Sequence, residues 1–314
     1  MTDAAGLVTL AVPCRADEPA LGRALALAWR SWRRVAGPTG RPLEIAVCLN
    51  GPNPGEPLAD VRAFAASLHA PLVEHGNQGS PAAPVAPVTV IVISSQRAGK
   101  PIAWNLLRRA ARGPIALFMD ADVAFEADAF GLLLGALRDH PDAALGSAKT
   151  TCRSRPGLFE RIMAAPYGVD FPNLSPQLYA ARLAALPLAM PEDLIEPERW
   201  LELVVGRDRV VRVPAAQVQV RLPHTLPDFF RQRIRIEMGK VQLARDYPEL
   251  ATRGAPQPRA GGALAHLSAT ELGCLAAYLA LRTSAQAIAR WRYRRGQTDG
   301  VWRQAASTKR WDPE

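Results

Sequence analysis

The chain has 314 residues, of which 48% are hydrophobic, and this composition excludes an intrinsically disordered protein. Its length allows one large α/β core or two modest domains. A net charge of +9 and a pI of about 9.9 favour anionic partners such as phosphorylated substrates, polyanions or anionic lipid, without choosing among them.

The four cysteines have no metal-ligand or redox spacing, which predicts reduced thiols in a cytoplasmic protein. They are Cys14, Cys48, Cys152 and Cys274. The first ten residues lack the basic start and the long apolar run of a signal peptide. The most apolar late stretch, Leu272 to Leu281, has ten residues, whereas a spanning helix needs about 20, so we expect no membrane-spanning segment there.

Four short apolar runs in the first half of the chain predict strands that are buried on both faces of a parallel sheet. They are Leu7–Val12, Leu43–Leu49, Val88–Ile93 and Ile115–Met119. Helical patterns accompany them at Ala20–Val35, Pro101–Arg112 and Phe130–Leu137. Strands that alternate with helices predict an α/β fold with a mostly parallel, doubly wound sheet.

Two carboxylates, Asp120 and Asp122, follow directly after an apolar strand. Positions i and i+2 of an extended chain point to the same side, beyond the carboxyl end of a strand, where open α/β sheets bind ligands. Such a pair can hold Mg²⁺ or Mn²⁺ against the oxygens of a diphosphate, and the metal then acts as a Lewis acid on the departing group. Taken alone, Asp-x-Asp is a weak signal that favours an acidic turn.

Three further candidates follow strand ends. Lys100, after Gly99 and at the start of a helix, offers positive charge to a phosphate together with the free amides of the helix. The segment is not a Walker loop, and alone it favours a capped helix with an exposed lysine. Asp17 and Asn50 could bind a nucleobase or ribose, although each alone is more typical of an ordinary turn.

The joint order of these motifs resembles the large inverting glycosyltransferase family 2 over roughly residues 7 to 245. The motifs are a strand with Pro13-Cys14-Arg15-Ala16-Asp17, a strand with Asn50-Gly51, Gly99-Lys100 with Ala103 and Asn105, and Phe118-Met119-Asp120-Ala121-Asp122. The segment Ser175 to Ala180 also resembles the part of the family's donor side that precedes the catalytic acid.

The resemblance implies a GT-A fold, a nucleotide-sugar donor with UDP favoured, an acceptor hydroxyl, and a divalent metal, Mn²⁺ or Mg²⁺. By this likeness Asp17 and Asn50 contact the base and ribose, and Lys100 lies near the phosphates. Asp120 touches ribose or metal, and Asp122 ligates the metal.

The family places a general base in an acidic pair just before a helix that carries a leucine three residues on. Glu198 with Leu201 fits this spacing, so the resemblance implies that Glu198 is the catalytic base. The usual Glu-Asp is replaced by Pro-Glu here, which leaves Asp193 and Glu196 as alternatives. A base is needed because an acceptor hydroxyl is a poor nucleophile until its proton is taken. Without the resemblance, this acidic run is typical of a solvated helix start.

The segment Phe229–Ile236 resembles the Gln-x-x-Arg-Trp motif of polymerising family members, with Ile236 in place of the Trp. In those relatives the motif contacts the acceptor and the diphosphate. The resemblance therefore implies that Gln232, Arg233 and Arg235 contact the diphosphate. The same pattern is equally typical of a basic amphipathic helix.

We expect a catalytic domain over residues 1–250, with a nucleotide-sugar half of about 1–125 and an acceptor half of about 126–250. A linker over 251–265 and a basic amphipathic helical tail over 266–314 follow, since the composition of Thr252–Gly262 is typical of a linker. The similar segment His75–Pro87 predicts a surface loop within the catalytic domain. The tail either packs on the catalytic domain or contacts an anionic membrane peripherally at its inner face.

Three alternatives to a transferase were weighed. A nucleotidyltransferase would carry a Gly-rich first loop with Thr-Arg, which residues 12–22 lack. A non-catalytic nucleic-acid binder would explain the basic pI but not the order of the acidic motifs, so we expect no nucleic-acid partner. A degenerate transferase that serves as a binding module would be favoured by a displaced Glu198 region.

Overall fold

The computed structural model describes residues 6–37, 40–75, 87–152, 157–168, 174–252 and 266–297. The predicted loop at His75–Pro87 and the predicted linker at Thr252–Gly262 lie almost entirely outside these ranges. The division of the chain into domains stays a prediction.

Within the described ranges, nine strands belong to one sheet and nine α-helices accompany it. The strands are β1 (Val8–Arg15), β2 (Leu43–Asn50), β3 (Leu72–His75), β4 (Val88–Ser95), β5 (Ile115–Met119), β6 (Ala124–Phe125), β7 (Leu145–Cys152), β8 (Leu178–Arg182) and β9 (Val210–Val220). The helices are α1 (Leu21–Ala36), α2 (Gly55–Ser67), α3 (Lys100–Ala110), α4 (Ala129–Asp139), α5 (Leu158–Ala164), α6 (Pro197–Val205), α7 (Leu226–Asp246), α8 (Pro248–Thr252) and α9 (Ala269–Arg294).

The sheet has the strand order β3-β4-β2-β1-β5-β8-β7-β9-β6. Its first five strands are mutually parallel, β8 runs antiparallel to both β5 and β7, and β9 is parallel to β7. The predicted α/β class with a mostly parallel sheet is confirmed. Strands from both sides of residue 125 share this sheet, so the expected nucleotide and acceptor halves are joined through it.

Helices cover both faces of the sheet, which explains why its central strands are apolar throughout. Leu10 of β1 lies in the core that contains Trp32 of α1, whereas the next residue, Ala11, lies in the core with Trp104 of α3. Every residue of β2 is buried, as expected for a strand covered on both faces.

The four predicted strands coincide with β1, β2, β4 and β5, and the three predicted helices of the first half coincide with α1, α3 and α4. The sequence did not predict α2, the short strands β3 and β6, or the antiparallel pairing around β8. None of the four cysteines forms a disulfide, in agreement with the expectation of reduced thiols.

Helix α9 is longer than the apolar stretch from which it was predicted. It has 26 residues and begins at a capping box formed by Ser268 and Glu271. It packs along α7 and buries Tyr278 and Tyr293 among other residues. By length and composition it is long and apolar enough to cross a membrane, and only 17% of its most apolar window is buried. The expectation based on ten residues therefore underestimated this helix.

Gly239 of α7 lies against the chain just before α6. A Cβ atom at this position would lie 2.2 Å from Cγ and 2.9 Å from Cβ of Glu196. We predict that Gly239→Ala lowers the free energy of unfolding by about 1–3 kcal/mol, because the helix or the Glu196 segment must shift. Urea unfolding measures this effect.

The matched control is Gly273→Ala in α9, where no atom lies within 4 Å of the added Cβ. This change should leave stability equal or raise it by up to about 1 kcal/mol through helix propensity. Equal effects of the two substitutions would contradict the close approach of α7 to Glu196.

Candidate active site

The carboxyl ends of the parallel strands form one edge at which the candidate residues meet. Arg15 at the end of β1 is paired in register with Asn50 of β2, which in turn is paired with Ser95 of β4. Lys100 begins α3 shortly after β4, and Asp120 follows β5 directly. The structure thus brings most of the predicted site residues to one side of the sheet, where open α/β sheets bind ligands.

The ammonium group of Lys100 bridges two carboxylates at this edge. Its Nζ lies 2.7 Å from Oδ1 of Asp120 and 2.6 Å from Oε1 of Glu198, and it donates a hydrogen bond of 3.2 Å to the carbonyl of Pro176. Burial opposes the lysine charge, but the two carboxylates outweigh burial and raise the pKa of Lys100 above its usual value. Glu198, in the first turn of α6, is therefore held beside the acidic pair.

Asp120 is in a crowded electrostatic environment. Burial raises its pKa to about 6, and the charges of Asp122 and Glu198 add to this shift, while Lys100 opposes it. The prediction that the two carboxylates face the same side stays a prediction. Two carboxylates, Asp120 and Glu198, thus contact one ammonium, and the charge of Asp122 acts on Asp120 as well. This excess of negative charge suits a bound cation.

Within the described ranges, no three His, Cys, Asp or Glu side chains form a ready metal cluster. Mg²⁺ commonly takes only one or two carboxylates and completes its shell with water and substrate phosphates. Asp120 and Asp122 match that pattern, so the residues present fit a divalent cation that arrives with a diphosphate.

Three stacked aromatic rings, one each from α3, β5 and β8, lie in the core beneath the candidate site. Phe118 lies between Trp104 and Tyr179, with ring centroids 5.6 and 5.0 Å away, and Trp104 Nε1 donates a 3.1 Å hydrogen bond to the Tyr179 hydroxyl. Burial, together with the nearby Glu198 charge, raises the pKa of Tyr179 above its usual range. This rigid layer fixes the end of β5 against α3. Tyr179 lies in the segment Ser175 to Ala180 that the resemblance singled out, but its stacking was not predicted, because strand pairing between β5 and β8 brings it there.

Asn50 organises the loop that precedes α3. Its Oδ1 accepts a 2.6 Å hydrogen bond from the backbone of Gly99, and its Nδ2 donates one of 2.8 Å to the carbonyl of Arg97. The side chain therefore positions Lys100. Asp17, by contrast, is exposed and paired with Arg15 at 2.6 Å. The roles of Asn50 and Asp17 in binding a base or ribose stay predictions.

Two buried amides hold the acidic run that precedes α6. Asn105 exchanges two hydrogen bonds, of 2.9 and 2.8 Å, with the backbone of Met190. Gln242 of α7 accepts from the amide of Ile195 at 2.9 Å and donates to the carbonyl of Asp193 at 3.0 Å. These positioning residues were missed, since no local spacing indicates which amide will reach a distant loop.

The three candidate bases have different environments. Glu198 is buried and paired with Lys100, whereas the side chain of Asp193 is exposed. Burial raises the pKa of Glu196 to about 7; the positive charge of Arg235 opposes this rise, and the charge of Glu198 adds to it. Of these three residues, only Glu198 shares an ion-pair partner with Asp120, namely Lys100.

Gln232, Arg233 and Arg235 of α7 lie in different environments. Gln232 is exposed, and Arg233 forms a 2.8 Å ion pair with Glu237 while its guanidinium lies over the ring of Tyr278. Arg235 acts on Glu196 through its charge. The segment is helical, as its pattern indicated, and its contact with a diphosphate stays a prediction.

The raised pKa of Glu196 makes a prediction about stability. Its pKa is about 7 in the folded protein and about 4.5 ordinarily, so the folded state takes up a proton more readily than the unfolded chain. The stability gained in this way is fully present below about pH 4.5 and is lost as the pH rises through about 7. The free energy of unfolding of Glu196→Gln, relative to that of the wild type, should therefore increase as the pH rises from about 5 to about 8.

Urea unfolding of both proteins at the two pH values measures this difference. Asp193→Asn, at an exposed position of the same loop, is the control and should show no such change. A stability difference that is independent of pH for Glu196→Gln would show that the carboxylate is not buried as described.

Comparisons with known proteins agree with this geometry. The model of the family described as glycosyl transferase family 2 matches residues 80–174, which include Lys100, Asp120 and Asp122. No curated protein sequence matches the chain. A solved mannosyltransferase, PcManGT from Pyrobaculum calidifontis in complex with GDP-Man and Mn²⁺, is similar with 20% identity and a TM-score of 0.56. That alignment covers 93% of this chain and 82% of the other.

Two further solved structures are similar at lower scores. Mannosyl-3-phosphoglycerate synthase from Rubrobacter xylanophilus has 15% identity and a TM-score of 0.49, with 77% of this chain and 75% of the other covered. TarS from S. aureus in complex with UDP has 12% identity and a TM-score of 0.49, with 92% of each chain covered. The family model matches residues 80–174, which is less than half of the chain, and the solved mannosyltransferase shares its fold. The chain therefore has the GT-A fold and contains a region similar to glycosyl transferase family 2.

Proposed function

We propose that this chain is a glycosyltransferase that moves a sugar from a nucleotide-sugar donor to an acceptor hydroxyl with inversion at the anomeric carbon. The observation that carries the proposal is the Lys100 ammonium, which contacts both Asp120 at the end of β5 and the carboxylate of Glu198. Inversion needs a base on the acceptor side and stabilisation of the leaving group opposite it. The site offers a separate carboxylate for each of these two tasks.

The donor side is formed by Lys100, Asp120 and Asp122. Asp120 and Asp122 would hold a divalent cation, Mn²⁺ or Mg²⁺, which when bound supplies Lewis-acid stabilisation of the departing diphosphate. Lys100 would contribute a positive charge to the same phosphates. The resemblance favours a UDP-sugar, while the similar mannosyltransferase was solved with GDP-Man, so donors of both kinds belong in any test.

The acceptor side is formed by Glu198 at the start of α6. The Lys100 ammonium lies 2.6 Å from Oε1 of Glu198, so this pair must separate before that oxygen can reach the proton of an acceptor hydroxyl. A bound diphosphate competes with Glu198 for Lys100. We propose that donor binding draws the ammonium toward the phosphates and leaves Glu198 free to take the proton of the attacking hydroxyl.

The metal-binding role of Asp122 gives the first test. Asp122→Asn should lower donor turnover by at least about 100-fold while leaving the fold intact, because an amide oxygen carries no charge for the cation. Release of nucleoside diphosphate at several Mn²⁺ concentrations measures this loss. Asp128→Asn, the same change at an exposed position before α4, is the control and should turn over normally. Full wild-type activity in excess chelator would sink the proposed metal role.

The base assignment gives the second test. Glu198→Gln should keep affinity for the nucleoside diphosphate near that of the wild type but lower transfer by about 10²-fold or more, the usual scale for the loss of a positioned base. Calorimetry with the nucleotide and a transfer assay separate the two effects. Asp193→Asn and Glu196→Gln are the comparison variants. If Glu198→Gln transfers normally while Asp193→Asn or Glu196→Gln is inactive, the base is the residue changed in the inactive variant.

Peripheral membrane contact is a separate proposal. Helix α9 exposes Leu272, Leu279 and Trp291, and Arg292 and Arg295 are exposed near its end. Apolar side chains flanked by arginines are typical of helices that bind anionic lipid surfaces without insertion. We also propose a cytoplasmic location, in which the helix would contact the inner face of the membrane.

A further inference from the structure

A basic groove of about 500 Å³ runs between α7 and α9, outside the site described above. Five basic side chains line it, and one carboxylate faces them. The basic residues are Lys240, Arg245, Arg282, Arg290 and Arg294, and the carboxylate is Glu237. Small and neutral residues complete the lining, so the groove has a strong local excess of positive charge.

The carboxylate of Glu237 already contacts three basic side chains. Glu237 is almost fully buried, and its Oε1 lies 2.9 Å from Lys240 Nζ, 2.8 Å from Arg233 and 3.4 Å from Arg282. Burial and the positive charge of Arg233 hold the pKa of Lys240 below its usual value. Arg245 has a further partner, Asp246, at 3.9 Å, but Asp246 does not line the groove. The remaining basic groups still outnumber Glu237, and a bound anion would relieve their repulsion.

Arg290 and Arg294 form the opposite wall. They lie four residues apart on one face of α9, both side chains are exposed, and neither makes an ion pair within the described part of the chain. Two guanidinium forks on one helix face, with an ammonium that lines the same groove, are the types of donor that bind phosphate oxygens.

We propose that this groove is a binding site for a phosphate group, held by Arg290 and Arg294 of α9 and Lys240 of α7. The site does not depend on the proposed transfer reaction, because it shares no residue with the donor site or with Glu198. It is close to the acceptor side, since Lys240 follows Gly239, against which Glu196 packs.

The phosphate could come from a lipid headgroup or from a soluble phosphate compound. The exposed apolar residues of α9 favour the lipid source, because the same helix would present its arginines to headgroups and its Leu and Trp side chains to the acyl boundary. Both sources share the chemistry that the groove recognises.

The test compares two variants that lose the same charge. Arg290→Ala/Arg294→Ala removes one wall of the groove, whereas Arg30→Ala/Arg34→Ala removes two exposed arginines with the same spacing on α1, which do not line it. All four side chains are exposed, so both variants should fold, and thermal unfolding checks this. The probes are inorganic phosphate, measured by calorimetry at low salt, and vesicles of phosphatidylcholine with or without phosphatidic acid, measured by flotation.

The groove variant should lose binding to at least one phosphate probe by about tenfold or more, while the control variant keeps it. Groove-dependent binding of the phosphatidic acid vesicles alone identifies a lipid source, and groove-dependent binding of inorganic phosphate identifies a soluble one. Equal losses in the two variants, full binding by the groove variant, or no binding by the wild type would each overturn the proposal.

Discussion

The site depends on one interaction, the ammonium of Lys100 between the carboxylates of Asp120 and Glu198. Buried carboxylates are costly unless a positive charge compensates them, and Lys100 supplies that charge for groups on two different elements. Asp120 ends a central strand of the parallel sheet, whereas Glu198 begins a helix far along the chain. The ion pairs thus join the proposed donor side to the proposed acceptor side, and Asn50, Asn105 and Gln242 position the loops around them.

The same interaction links structure to chemistry. Without a donor, the ammonium neutralises carboxylates that would otherwise repel each other. A donor brings a diphosphate, which can take over part of the lysine charge, together with a cation that suits Asp120 and Asp122. The proposed consequence is a Glu198 carboxylate that is free to accept a proton only when a donor is present. Such coupling would limit wasteful chemistry on an incomplete site.

Sequence alone predicted the features that are local in the chain. The central strands are uniformly apolar runs, and α3 begins with a proline and a preceding glycine, so both were visible. Antiparallel β8 was not predicted, because Leu178–Arg182 is short and has no alternation, and its place is decided by pairing with β5 and β7. The position of Glu198 was anticipated only through a family resemblance. Helix α9 was underestimated because its apolar run stops at Arg282, whose charge is accommodated by Glu237 of α7.

The central claim is that the chain turns over a nucleotide sugar with the help of a divalent cation. The most direct measurement is release of nucleoside diphosphate from a panel of UDP- and GDP-sugars, with Mn²⁺ and with excess chelator, using wild-type protein and Lys100→Ala. The account predicts that the wild type hydrolyses or transfers at least one donor with Mn²⁺ only, and that Lys100→Ala binds and turns over that donor much more weakly. Turnover that is unaffected by both chelation and the loss of Lys100 would contradict it.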